Sequence, residues 1–397
     1  MTQLHPSLTL AISLALLAMA HPAAAQGVSV TDYDQATSAY EQAYFNGALN
    51  ASKNRGDAQA GYDANISVDY DNVVSSPDQD LRYRAKAIGS VGRAGTAGAT
   101  STDSYSIGAG ITADNYFQPN STGPFWYGGL DFQANDTFNN RQVTGIVGAG
   151  YGRVKNVTPM AKAIRIVEEL TARGQLTGTP PLSVYQKVAN IIDREPEYRS
   201  KYGAKDYRET WIDDIAKEFK ASGVTTENFG AAQVLKIYDI LVNERISVRK
   251  VGWKVRAGVG YVFRSFSGDT NSDPALELGA EYHYPLSNLT QFSNEAKMTK
   301  IFDGSGSLGF RNAMTLTHEI DSRLDWENSW VLNYDKNGIT DTNVTTTTLS
   351  TALYYSLTNV LDVGATISIA NVSGDTTVAN PSGTDKALFL GVRYRLK

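Results

Sequence analysis

Residues 386–397 read KALFLGVRYRLK. In an extended chain Leu388, Leu390, Val392, Tyr394 and Leu396 fall on one side. Ala387, Gly391, Arg393 and Arg395 fall on the other, with Phe389 the one misfit. Successive side chains of a strand point to opposite faces, so this segment presents one apolar wall and one polar wall. The same alternation recurs about a dozen times from residue 60 onward, the pattern of strands with one face in hydrocarbon and the other in a polar lumen.

Tyr62, Ala64, Ile66, Val68 and Tyr70 alternate with Asp63, Asn65, Ser67 and Asp69. Trp253, Val255, Ala257, Val259, Tyr261 and Phe263 alternate with Lys254, Arg256, Gly258, Gly260 and Arg264. Segments 81–87, 276–284 and 361–369 repeat the pattern, whereas 105–116, 125–134, 142–152, 290–302, 306–319, 324–335 and 344–356 follow it less cleanly. A Lys or Arg facing lipid at the midplane costs about 2–4 kcal/mol, so the charged face must look inward. The lumen is therefore expected to hold Arg82, Arg84, Lys86, Lys254, Arg256, Arg264, Arg393 and Arg395. Asp63, Asp69, Glu277, Glu281, His283, Asp325 and Glu327 are expected to face them. Such a set forms either a charged constriction or an internal salt-bridge network that fills a narrow barrel.

A soluble β-sandwich also alternates, with core replacing lipid. Against it stand the aromatic strand ends, a terminal strand that is itself apolar-alternating, and the first residues of the chain. Leu8 to Ala20 is a short apolar run followed by Ala23-Ala24-Ala25, which reads as a secretory signal cleaved after Ala25, although its n-region carries no Lys or Arg. The chain has no cysteine, which excludes disulfides and thiolate sites, and a net charge of −5 leaves no nucleic-acid footprint. The expected fold is an all-β transmembrane antiparallel meander barrel of about 12–14 strands, exported to a bacterial outer membrane. The strand ladder is expected to run over 59–156 and 251–397, preceded by a segment, 26–58, whose residues 31–51 (Ala36, Tyr40, Ala43, Tyr44, Ala48) have helical spacing.

Between 157 and 250 the apolar period changes from two to 3.6 residues. Thr158-Pro159 can open a helix striped by Met160, Ile164, Val167 and Leu170, and Ser183 can cap a second with Val184, Val188 and Ile191. Tyr207, Trp211, Ile215 and Phe219 stripe a third over about 205–221. Phe229, Ala232, Leu235, Ile237, Ile240 and Leu241 stripe a fourth. This is an inserted four-helix α domain with its own core. Counting strands back from a periplasmic C-terminus places it in the periplasm, where it can gate the lumen or dock a periplasmic protein.

No catalytic motif, cofactor loop or metal set is legible. GAGYGR (148–153) lacks the strand–turn–helix context of a phosphate cradle and reads as a Gly-rich strand. His283 beside Glu281 could serve an outer-membrane hydrolase acting on lipid or polysaccharide, but reads more simply as filling of the polar interior. His318, next to Glu319, reads as interfacial. The last strand resembles the assembly signal of outer-membrane proteins, so the barrel-assembly machinery is an expected partner beside the lipid bilayer. The chain ends in Leu396-Lys397, where that signal carries an aromatic residue.

AEYHYPLSNLTQFSNEAKMTK (280–300), DSRLDWENSWVLNYDKNG (321–338) and TDTNVTTTTLSTALYYSL (340–357) resemble the salt-induced outer-membrane protein family, small bacterial barrels of unknown function. That resemblance implies outer-membrane residence and no established catalytic residues. Two strands follow 357 here and a helical domain interrupts the ladder, which the family pattern lacks.

Overall fold

The computed structural model describes residues 27–53, 58–136, 141–225, 229–264, 273–302, 307–337, 341–375 and 382–396. The expected signal, 1–25, lies outside them. Among the described residues the strands are β1 Tyr40–Ser52, β2 Gly61–Ser75, β3 Gln79–Arg93, β4 Thr102–Tyr116, β5 Pro124–Asn135 and β6 Gln142–Asn156. After the helices come β7 Lys250–Arg264, β8 Asp273–Pro285, β9 Thr290–Ile301 and β10 Leu308–Glu319. The ladder ends with β11 Leu324–Asn337, β12 Thr342–Ser356, β13 Leu361–Gly374 and β14 Gly383–Arg395. Each strand pairs antiparallel with the next, and β1 pairs with β14, so the sheet closes as a 14-strand barrel. Closure satisfies every strand edge, the condition for crossing hydrocarbon with strands.

The barrel begins at Tyr40, not at 59. The helical spacing over 31–51 gives way to a strand, β1, over most of its length. Its inward Tyr44, Asn46 and Ala48 and outward Phe45, Gly47 and Leu49 differ too little in polarity to mark a period of two. The alternating register is set instead by pairing on both sides, Tyr44 opposite Asp69 and Arg395.

Ion pairs across the bore fix which face is inside: Arg82 of β3 reaches Glu295 of β9, and Arg393 of β14 reaches Glu327 of β11. The alternate residues then form the outer wall, where Leu390, Val259 and Ile66 are 65%, 60% and 57% exposed. Exposed apolar side chains on this scale suit lipid contact. Trp126, Tyr151, Trp253, Tyr284, Tyr355 and Tyr394 ring this wall at one end, with Tyr151 and Trp253 stacked at 5.8 Å. Tyr105, Tyr261, Phe263 and Phe302 mark the other end. Two aromatic girdles around an apolar band are the mark of a transmembrane barrel.

Four helices lie between β6 and β7: α1 Thr158–Ala172, α2 Leu182–Asp193, α3 Glu195–Ala221 and α4 Ala231–Tyr238, which runs into a π-turn at Asp239–Asn243. Their apolar stripes meet in one core of Met160, Ile166, Leu170, Val188, Trp211, Ile215, Phe219 and Ile240. The Trp211 indole, fully buried, donates to the Ile191 carbonyl at 2.7 Å. Three local expectations change. Ser183 does not cap α2, which begins at Leu182 with Pro181 at its N-cap. Thr158 is the first helical residue, and its backbone N–H is taken by the Asn156 side chain at 3.0 Å, so Asn156 does the capping. α3 starts at Glu195 rather than near 205, because a kink at Gly203 (φ 81°) joins a short helical stretch to the striped one. β6 descends into the insert and β7 leaves it, so the insert shares one barrel end with the N-terminal segment and the end of β14. Val30 and Tyr33 of that segment are buried in the insert's core.

Inside the wall, glycines of β6 and β7 make room for aromatic rings. A Cβ on Gly150 would lie 2.3 Å from the Phe125 ring, and one on Gly258 would lie 2.3 Å from the Tyr127 hydroxyl. Phe125 and Tyr127 are fully buried and pack on Tyr116 at the lumen edge.

Candidate functional site

The ion pairs around Arg82 and Glu327 lie in the half of the lumen nearer the insert, while Asp63, Asp131, Glu277, Lys297 and Arg311 lie nearer its other end, and the strand registers explain the first placement. Ascending strands place Arg82, Lys254 and Glu327 a few residues above their start, and descending ones place Asp114, Glu281 and Arg393 a few residues before their end.

The larger group centres on Arg82. Its guanidinium grips Asp71 through two hydrogen bonds of 2.9 and 3.1 Å and lies 3.3 Å from both Glu281 and Glu295. Arg256 bridges Glu281 at 3.0 Å and Asp114 at 3.3 Å, and Lys254 donates to Asp114 at 2.7 Å. Arg84 approaches Glu295 at 3.6 Å, Lys86 pairs with Asp69 at 3.0 Å, and Glu277 accepts from Lys297 at 2.6 Å. Asp63 accepts from Asn65, apart from this group. The smaller group centres on Glu327, held by Arg393 through bonds of 2.6 and 2.9 Å, with Arg393 lying 3.7 Å over the Tyr354 ring. Arg395 lines a cavity beside the insert and forms no ion pair among the described residues. The side chain of Arg264 falls outside the described residues.

His283 is buried beside the larger group. Its Nδ1 shares a hydrogen bond with Ser293 Oγ at 2.9 Å, while Nε2 lies 3.8 and 3.9 Å from Glu281 and Glu295 and has no hydrogen-bond partner. Glu281, His283 and Glu295 hold their donor atoms within 4.8 Å of one another, the spacing of a metal site. Arg82 and Arg256 already occupy the carboxylate oxygens, so a divalent ion would enter among cations, and the donor set does not fit one. The Ser293–His283–carboxylate sequence has the chemistry of a nucleophile, a base and an acid. It lies where ion pairs cross the bore, which does not suit a lipid or polysaccharide chain. His318 points outward and bonds Thr290 at 2.8 Å.

The insert supplies cations that sequence reading did not select. Arg245, between the π-turn and β7, contacts Asp362 of β13 and lies 3.5 Å from Asp325 and 3.7 Å from Glu327. Glu319, at the end of β10, receives Arg165 of α1 at 3.0 Å, Arg249, and the Ser247 backbone N–H at 3.1 Å. Asn288 in the β8–β9 turn donates to Glu168, and Asp193 of α2 accepts from Ser38 at 2.7 Å and Tyr33 at 3.3 Å. Burial lifts the Asp193 carboxyl above its ordinary range despite those two donors, and burial likewise lifts Glu168 and Glu244. Asp71, Asp114, Glu295, Glu319 and Asp362 were also missed. A single inward acid on a strand carries no local mark, and only the partner across the barrel reveals it.

Three larger cavities lie among the described residues. One of about 450 Å³ lies between the insert and β1–β2, lined by Tyr40, Tyr44, Lys162, Glu195, Arg199 and Arg395 among others. Two of about 390 and 340 Å³ lie in the lumen and share Arg84, Asp131 and Glu295 in their walls.

The model of a family described as a protein of unknown function, DUF481, matches residues 245–357, from Arg245 through β12. No curated protein matches. Among solved structures, the anion-selective porin from Comamonas acidovorans is similar over 90% of this chain and 100% of its own, at 8% identity and a TM-score of 0.32. The NanC porin matches over 89% and 100%, at 6% identity and a TM-score of 0.32. OmpF of Salmonella typhi in complex with daunomycin matches over 92% and 99%, at 10% identity and a TM-score of 0.33. Likeness at that level says nothing of what enters the lumen. The closed, girdled barrel and the family match make this chain an outer-membrane β-barrel.

Proposed function

We propose that the protein is a narrow outer-membrane channel held shut at its periplasmic end by the helical insert. The observation that carries this is Arg245, an insert-side cation lodged in the lumen among Asp325, Glu327 and Asp362. A residue whose charge is neutralised only when the insert is seated couples docking to the state of the bore. The pairs of Arg82 with Glu281 and Glu295 support the same reading, since they put charged side chains across the bore.

Connection lengths support the periplasmic side. Apart from the insert, the connections at that end are 76–78, 117–123, 286–289, 320–323 and 357–360, mostly of three or four residues, while those at the other end, 53–60, 94–101, 136–141, 265–272, 302–307, 338–341 and 375–382, mostly run to six or eight. Short turns face the periplasm and long loops the exterior in barrels of this kind.

The test is conductance in planar bilayers of the full chain, of Arg245→Ala, and of a variant lacking 157–250. Larger or more frequent openings in both variants than in the full chain are expected. Equal conductance in all three would reject gating by the insert. Silence in all three would favour a second reading, in which the barrel is a scaffold. In that reading the exposed Val234 and Leu235 of α4 dock a periplasmic protein.

A further inference from the structure

We infer that the outer wall formed by β9–β12 is where two copies of this chain meet within the membrane. The parity of these strands is fixed by their inward acids: Glu295, Glu319 and Glu327 all hold partners inside the barrel or at its insert end. Asn294, Asn312 and Asn328 therefore point outward, toward the bilayer.

The three amides form one patch. Met314 lies at the middle of β10; Asn294 is its direct partner on β9, and Asn312 precedes it by two residues on the same face. Asn328 pairs with Leu316, the next outward residue of β10, and with Thr351 of β12. Cross-strand and diagonal neighbours of this kind lie within side-chain reach. The patch is thus at mid-strand, away from both girdles. Thr345 and Thr347 continue it along β12. On the opposite side of the barrel the mid-strand outward residues are Ile66 and Val68, both exposed and apolar.

Hydrocarbon offers no hydrogen bonds, so polar side chains at this depth persist where another protein supplies them. Asn294, Asn312 and Asn328 are each half-buried on this wall in the single chain. An amide both donates and accepts, so a wall carrying three of them is complementary to itself when turned by a two-fold axis. A lipid tail cannot satisfy it. A second copy can, with Asn312 beside the axis and near its own counterpart.

The chain has no cysteine, which makes the test direct. Single variants Asn312→Cys and Ile66→Cys of the full chain are oxidised with copper phenanthroline in isolated outer membranes. A disulfide-linked species of twice the chain mass is expected from Asn312→Cys, at least tenfold more abundant than from Ile66→Cys. Equal yields, no product from Asn312→Cys, or a product of another mass would overturn the proposal. In parallel, the mass of the wild-type protein in mild detergent is compared with that of Asn294→Leu/Asn312→Leu/Asn328→Leu. A folded, heat-modifiable variant that is monomeric beside a dimeric wild type supports the interface. A monomeric wild type, or a variant still dimeric, rejects it, and a variant that does not fold leaves the cysteine result to decide.

Discussion

Arg245 and Asp362 are in direct contact although one belongs to the segment leaving the insert and the other to the base of β13. The same guanidinium faces Asp325 and lies 6.0 Å over the Tyr44 ring of β1, so a single side chain ties the insert to strands on both sides of the barrel closure. Both aspartates are buried.

Replacing Arg245 by Met leaves two buried carboxylates facing each other. Breaking a buried pair by removing one partner costs about 3–5 kcal/mol. The insert, held otherwise by Glu319, Asn288 and the N-terminal segment, is expected to release before the barrel melts. Limited proteolysis should cut Arg245→Met within 157–250 under conditions where the wild type is resistant, while heat-modifiability of the barrel persists. Equal resistance of the two proteins would mean that Arg245 does not hold the insert.

What the sequence disclosed follows the physics of each element. Strands such as 62–70 and 253–263 were legible because lipid and lumen impose opposite demands on alternate residues. β1 was not, because Ala43, Gly47 and Ala48 are small on both faces and its register is imposed by β2 and β14. The inward side of Arg82, Lys254, Glu281 and Arg393 could be expected from the alternation. Their partners could not, because Arg82 meets Glu295 only once the sheet has closed, and no local pattern encodes closure. Arg245 gave no sign at all: in NERISVRK it looks like any solvated cation beside a strand.

Gly258 is required by the Tyr127 ring of a strand two places away. An added methyl would meet the Tyr127 hydroxyl at 2.3 Å and the Val147 carbonyl at 2.9 Å. Overpacking of this kind costs about 1–3 kcal/mol. Gly258→Ala should lower the heat-modification temperature, and adding Tyr127→Phe, which removes the clashing oxygen, should restore part of the loss. No recovery in the double variant would show that the Val147 contact, not Tyr127, sets the constraint.

Docking of the insert should strengthen on mild acidification. Asp193, Glu168 and Glu244 are all held above their ordinary carboxyl range, chiefly by burial. A group raised in the folded state contributes stability that is complete below its unfolded pKa and is lost as pH rises through its folded one. Asp214, kept low by Tyr198 and Lys217 in spite of burial, subtracts from this on the exposed face of α3. Protease resistance of the insert should therefore be greater at about pH 5 than at about pH 8, while the barrel remains folded at both. The opposite order would show that other groups dominate the linkage.

The cations around His283 are what keep it from binding metal, and this can be reversed. Glu281, His283 and Glu295 have metal-ligand spacing, and His283 Nε2 is free to coordinate, but Arg82 lies 3.3 Å from both carboxylates. A unit charge about 5 Å from a divalent ion opposes it by on the order of 6 kcal/mol at an effective dielectric of about 20. Arg82→Gln removes that charge while leaving a hydrogen-bond donor for Asp71. Arg256 and Lys254 remain and take back part of the gain. Titration calorimetry with Zn²⁺ should show no lumen site in the wild type and a site roughly a hundredfold tighter or more in Arg82→Gln, lost again in Arg82→Gln/His283→Ala. Equal binding by wild type and Arg82→Gln would mean that the guanidinium does not exclude the ion. Binding that survives removal of His283 would place the metal elsewhere in the lumen.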